Sequence, residues 1–182
     1  MKIEIQKQGP RAYYDEMVYI MNNYIRFRSN PVRPARSVTG YMAIRIIGFF
    51  LVALVALYLA IHNHDMIYMA ITGVMAIAVV AVYISYLGSR KKVNTLMDED
   101  RGRTVEFTED GITSDDGIKK ISYKWDEVSC VVYNKRTITV LPKKGSDEGF
   151  IFMDIAYKEQ VTEAMKEAGH AFLIEDNFEK AE

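Results

Sequence analysis

Two uncharged apolar runs, Ile46 to Ile61 and Met66 to Leu87, dominate the pattern of hydrophobic and polar positions along the chain. A hydrocarbon layer of ~30 Å takes roughly 20 apolar residues of helix, and the spans 41–61 and 66–87 each meet that length. Only His62, Asn63, His64 and Asp65 separate them, so the second helix must turn straight back. The pattern predicts a transmembrane hairpin over 41–87. Long apolar helices can also form the core of a large soluble protein, but the rest of a 182-residue chain is too short to wrap two helices that are apolar on every side. A cleavable signal peptide fits poorly, because the first run begins only after residue 40 and is too long for a signal core.

Small residues suggest how the two helices meet. Ala53, Ala56 and Ala60 share one side of the first, and Ala70, Gly73 and Ala76 one side of the second, at similar depth in an antiparallel pair. A transport path is poorly supported. Between Ile46 and Leu87 the polar inventory is Thr72, Ser85 and tyrosine hydroxyls, where an ion or proton route shows ionisable groups.

The flanks read differently. In residues 1–40, Ile3 and Ile5 alternate with Lys2, Glu4 and Gln6, the period-2 signature of a strand with one buried face. A lone strand needs a partner, and pairing with the C-terminal sheet is expected; a frayed terminus is the alternative. Pro10 then opens an aromatic-rich helix in which Tyr13, Met17, Ile20, Tyr24 and Phe27 recur at helical spacing. Its apolar face can lie on the membrane interface or in a groove of the C-terminal domain. Asn30-Pro31 and Arg33-Pro34 end it.

Residues 88–102 read as a linker, with the option that the second span continues as helix past Lys92. From 103 to 169 short strands alternate with turn signals. Strands are expected at 103–108, 112–114, 118–125 (with a bulge near Lys119-Lys120), 128–133, 137–141 and 150–153. Asp154 is placed to cap a helix over 155–168 that stops at Gly169. Residues 170–182 form an acidic tail, expected to be partly disordered. The fold class is α+β: a two-helix hairpin plus a small antiparallel β-barrel capped by a C-terminal helix.

Charge sets the topology. The chain has a net charge of −1 and a mean hydropathy of −0.06, values that conceal a division. Residues 1–97 hold 11 Lys and Arg against 4 Asp and Glu, whereas residues 98–182 hold 12 against 20. Arg26, Arg28, Arg33, Arg36 and Arg45 precede the hairpin and Arg90, Lys91 and Lys92 follow it, while the turn has no Lys or Arg. Basic residues are retained on the cytoplasmic side, so both termini are expected there. The single cysteine, Cys130, excludes an intramolecular disulfide framework and suits a reducing compartment.

The order of elements, together with the segments VEFTEDGI, YKWDEV and TITVLPKK, resembles the YcxB-like family of bacterial membrane proteins over nearly the full length. The resemblance implies a bacterial cell-membrane protein with two spans and a pleckstrin-homology-like (PH-like) C-terminal domain. It supplies no catalytic residue.

Chemistry is sparse. His62-x-His64-Asp65 offers ligand types at close spacing, but a zinc site takes three or four protein ligands and no further anchor is evident. No Walker loop, dinucleotide glycine pattern or nucleophile elbow occurs, and Cys130 reads as a strand-core residue. Trp125 reads equally as core. No catalytic residue, cofactor or metal is therefore expected, and no nucleic-acid partner. Lys119, Lys120, Lys135, Arg136, Lys143 and Lys144 are the candidate binding residues, for a lipid head group or a partner, should folding gather them on one rim. The net acidity of their domain weakens attraction to an anionic membrane. The expected function is non-enzymatic: a bilayer-anchored domain presented to the cytoplasm for protein interaction or regulation, with homo-oligomerisation open. The alternative is immunity or resistance to a membrane-active peptide or toxin.

Overall fold

The computed structural model of the chain describes residues 1–6, 9–30, 35–143 and 149–177. In order, the elements are β1 (Lys2–Ile5), α1 (Arg11–Asn22), α2 (Tyr24–Ser29), α3 (Val38–Asn63), α4 (Met66–Glu99), β2 (Arg103–Phe107) and β3 (Gly111–Asp115). There follow β4 (Lys120–Lys124), β5 (Val128–Tyr133), β6 (Thr137–Pro142), β7 (Ile151–Asp154), α5 (Lys158–Glu167) and β8 (Ile174–Asp176). The class is α+β. Two units form: Met1–Ala35 together with Thr95–Glu182, and Arg36–Asn94 by itself.

The second unit is the helical hairpin. Helices α3 and α4 are long and apolar enough to cross a membrane. At 1.5 Å per residue, their 26 and 34 residues extend about 39 and 51 Å, against a hydrocarbon layer of ~30 Å. Ser37 caps α3, its hydroxyl accepting from the Gly40 N–H at 3.0 Å. His64 takes the left-handed conformation (φ 51°) that ends it. Asp65 then caps α4 by accepting from the Ile67 N–H at 2.8 Å, which gives the carboxylate in the histidine-rich turn a structural role. Most of the expected linker after residue 88 is helix, since α4 runs on to Glu99.

The expected small-residue contact holds on one helix and not on the other. The less exposed positions of α3 include Phe49, Ala53, Ala56 and Ala60, and those of α4 Tyr68, Thr72, Met75, Val79 and Val82. Both series alternate steps of three and four, the periodicity of a left-handed helix seam. Ala70, Gly73 and Ala76 are exposed. A stripe running through Thr72 and Met75 turns them outward, so phase along the helix outweighs residue size.

The first unit is built from two four-stranded sheets, ordered β1-β2-β3-β4 and β7-β6-β5-β8. Neighbours are antiparallel apart from β5 and β8, which are parallel. Among the described residues no strand pairing joins one sheet to the other, so the strands do not close into a barrel. The expected N-terminal pairing is present, with Ile3 opposite Val105. A single core joins the inner faces: Ile3, Val105, Phe107 and Tyr123 from one sheet, Val131, Ile138, Val140 and Met153 from the other, and Val161 and Met165 from α5.

Two local expectations are corrected. Strand β4 begins at Lys120 and pairs with β3 in regular register, without a bulge. Ile118 and Lys119 belong to the preceding turn, where the Asp116 carboxylate accepts both of their N–H groups at 2.9 and 2.7 Å. The irregularity lies instead between Val128 and Cys130 of β5. The N-terminal helix is broken at Asn23, whose side-chain amide donates to the Tyr19 carbonyl at 2.8 Å and competes with the helical ladder there. Within the expected acidic tail, Ile174–Asp176 form β8, with Ile174 set beside Val131 of β5, and residues 178–182 lie outside the described residues. Capping at Asp154 holds, its carboxylate accepting from the Ala156 N–H at 2.8 Å, although a 3-10 turn precedes α5 proper.

Candidate functional site

Among the described residues, the basic candidates do not all gather on one rim. Lys135 and Arg136 form the β5–β6 turn, whereas Lys143 follows β6 at its opposite end, six strand residues or about 20 Å away. Lys119 lies in the β3–β4 turn and Lys120 at the start of β4. Lys119 Nζ points toward Gly149, ending 3.9 Å from where a Cβ on that glycine would stand. Lys144 lies outside the described residues.

What folding does gather is an arrangement around α1. From Tyr13 to Ile20 every residue of this helix is buried, the charged Asp15 and Glu16 included. Strands β5 and β6 explain part of it. Val131, Val140 and Ile138 serve the inner core, while Cys130, Val132 and Leu141 form a second cluster on the opposite face, joined by Phe150. Both faces of this hairpin are thus apolar, and α1 and α2 are its cover. Tyr24 of α2 packs on Phe150 at 4.9 Å between ring centroids. Glu16 locks the cover in place. Its Oε1 accepts from the Arg136 N–H at 3.2 Å, the Thr137 N–H at 3.1 Å and the Thr137 hydroxyl at 2.7 Å. Burial pushes the Glu16 carboxyl above its ordinary range, and these bonds pull part of the way back.

On another side of α1, Tyr14 links the N-terminal segment to the chain that follows α4. Its hydroxyl donates to Asp100 Oδ2 and accepts from the Gly9 N–H at 3.0 Å. Asp100 Oδ1 accepts from the Gly102 N–H at 3.0 Å and lies 3.9 Å from Arg103 Nη2. Burial, and then the bond to Asp100, pushes the Tyr14 hydroxyl far above the usual tyrosine range, so it stays a neutral donor.

Arg103 stands where three clefts meet. One, of about 560 Å³, lies over the outer face of the first sheet between Lys2, Glu106, Asp115 and Lys120. The second, about 480 Å³, runs between Tyr14, Leu96 and Ile118. The third, about 310 Å³, borders Tyr13, Asp154 and Tyr157. Around Arg103, Tyr13 and Tyr14 are held neutral and the Asp100 carboxylate is engaged by Tyr14 and the Gly102 N–H. Elsewhere Cys130 is buried, which raises its thiol to about 11. Trp125 is a core aromatic whose indole N–H donates to the Thr108 carbonyl at 2.9 Å. No group of three His, Cys, Asp or Glu able to hold a metal ion occurs among the described residues.

Tyr14, Asp100 and Arg103 were not legible as a cluster in the sequence. Tyr14 belongs to an apolar helix face, Asp100 to an acidic run and Arg103 to the start of a strand, and no local spacing connects them. Compared with known proteins, the chain matches no family model, no curated protein sequence and no solved structure.

Proposed function

We propose that the chain is a two-span membrane protein of the YcxB-like kind, whose helical hairpin anchors a cytoplasmic, PH-like interaction module with no enzymatic role. One observation carries this reading: β1, from before the hairpin, pairs with β2, from after it. Two helices that cross a bilayer and return require the segments on either side to share a compartment, and a strand pair between those segments meets that requirement. The basic residues flanking the hairpin favour the cytoplasm as that compartment. Anchoring raises the effective concentration of the module beside membrane-bound partners, which is the mechanism proposed for its action.

Reporters fused ahead of Met1 and after Glu182, with a cysteine placed at Asn63, test the topology in a Cys130→Ser background. Cytoplasmic activity at both ends and labelling of residue 63 from outside are expected. A reporter active on the outer side overturns the reading.

A further inference from the structure

We infer that the cleft bordered by α1, the end of α4 and the β3–β4 turn is a docking groove for a cationic amphipathic segment of a partner protein. The inference rests on the interaction-module reading and names the partner's chemistry.

Two kinds of side chain line the groove. Met17, Leu96 and Ile118 are the apolar ones. Ile118 is 76% exposed in a turn, a place that polar and small residues ordinarily fill. Asp98 and Glu99 are the acidic ones, Glu99 one turn on from Leu96 on the same side of α4. Among the described residues neither of these carboxylates takes part in a hydrogen bond or an ion pair. Both occupy the last turn of a 34-residue helix that has no basic residue there. The C-terminal end of a helix carries roughly half a negative charge and favours cations, so two acids at this point repel the helix that bears them. Among the described residues no cation pairs with either carboxylate, and a lysine or arginine brought by a partner would relieve the repulsion.

The remaining charged lining is balanced, Asp100 and Asp116 against Arg101 and Arg103, so Asp98 and Glu99 set the sign of the cleft. Asp116 is fixed by the Ile118 and Lys119 N–H groups, which hold its carboxyl below the usual range and ionised. Arg101 and Arg103 also reach the cleft, but Arg103 leans on Asp100. Four acids face two bases. An acidic peptide or an anionic lipid surface meets repulsion here, while a segment with an aliphatic side chain next to a basic one matches both kinds of lining.

The test uses the full chain in phosphatidylcholine nanodiscs, titrated into a fluorescein-labelled helical peptide of leucine and lysine and followed by anisotropy against empty nanodiscs. Saturable binding to the parent chain is expected. The double variant D98N/E99Q is expected to bind about fivefold to tenfold more weakly, the effect of losing two exposed charge pairs. Ile118→Ser is expected to weaken binding through the apolar lining, and a glutamate–leucine peptide should not bind. Absence of binding to the parent, unchanged affinity in either variant, saturable binding of the glutamate peptide, or binding to phosphatidylserine vesicles that depends on Ile118 overturns the groove. The topology reporters are scored separately: a failed titration with both reporters cytoplasmic removes the groove and leaves the anchored module standing.

Discussion

Ile3 lies directly opposite Val105 in the antiparallel pairing of β1 with β2, and both side chains are buried. Each end of this contact belongs to a different side of the hairpin in sequence, so folding of the β-rich unit requires the chain to have returned through α3 and α4. Ile3→Ala removes buried methyl groups and leaves a cavity, and should cost about 2–4 kcal/mol, while Lys2→Ala, with its exposed side chain, should stay within ~0.5 kcal/mol. Thermal unfolding of the full chain in detergent checks both; equal melting of the two variants would contradict the pairing.

Glu16 is the bolt between α1 and the β5–β6 turn. Glu16→Ala strands the buried Thr137 N–H, the half-buried Arg136 N–H and the Thr137 hydroxyl, an expected loss of about 2–4 kcal/mol. Glu16→Gln keeps an acceptor oxygen in place and should be far milder.

The pH dependence of that site has a definite sign. The folded-state pKa of Glu16 is raised above its ordinary 4.5, so the native state holds this proton more tightly than the unfolded chain does. Stability from this group is therefore greatest below the unfolded pKa and falls as pH rises through the folded one. Glu16→Gln, which carries no titrating proton, should remove that component. Comparing the melting of parent and variant at pH values from about 4.5 upward measures it: the parent is expected to lose stability relative to Glu16→Gln as pH rises, and a parent that gains relative to the variant would contradict the sign.

Gly111 has no room for a side chain, because an added Cβ would come within 2.1 Å of the Tyr123 carbonyl oxygen and 3.0 Å of Lys124 Cα. Both neighbours are backbone of the paired strand, so relief requires β3 and β4 to part. Gly111→Ala is expected to destabilise by about 2–4 kcal/mol, with amide exchange accelerating first in residues 111–124.

Ending the chain after Gly169 would delete β8 and uncover the edge of β5 at Val131 to Tyr133. It would also remove Asp176, which accepts from Lys158 Nζ at 2.6 Å. The truncated chain is expected to lose about 2–4 kcal/mol and to aggregate through the bare strand edge. Size-exclusion profiles of the full chain and the truncated chain in the same detergent would show it.

Local pattern was enough for much of this protein. Uncharged length predicted α3 and α4, alternation predicted β1 and β2, short runs on either side of a turn signal predicted β5 and β6, and Asp154 and Gly169 marked the boundaries of the closing helix, because each of these signals is written in neighbouring residues. Only the tertiary structure decided that α1 is buried on all sides, that Glu16 is a lock for a turn more than a hundred residues away, and that Ile174 extends a sheet from within an acidic tail. It also set Lys135 and Arg136 at one end of β6 and Lys143 at the other. The reason is physical: periodicity reports which face of an element is apolar, whereas the choice of the surface covering that face, and of the charges brought beside it, is made between segments that share no local signal.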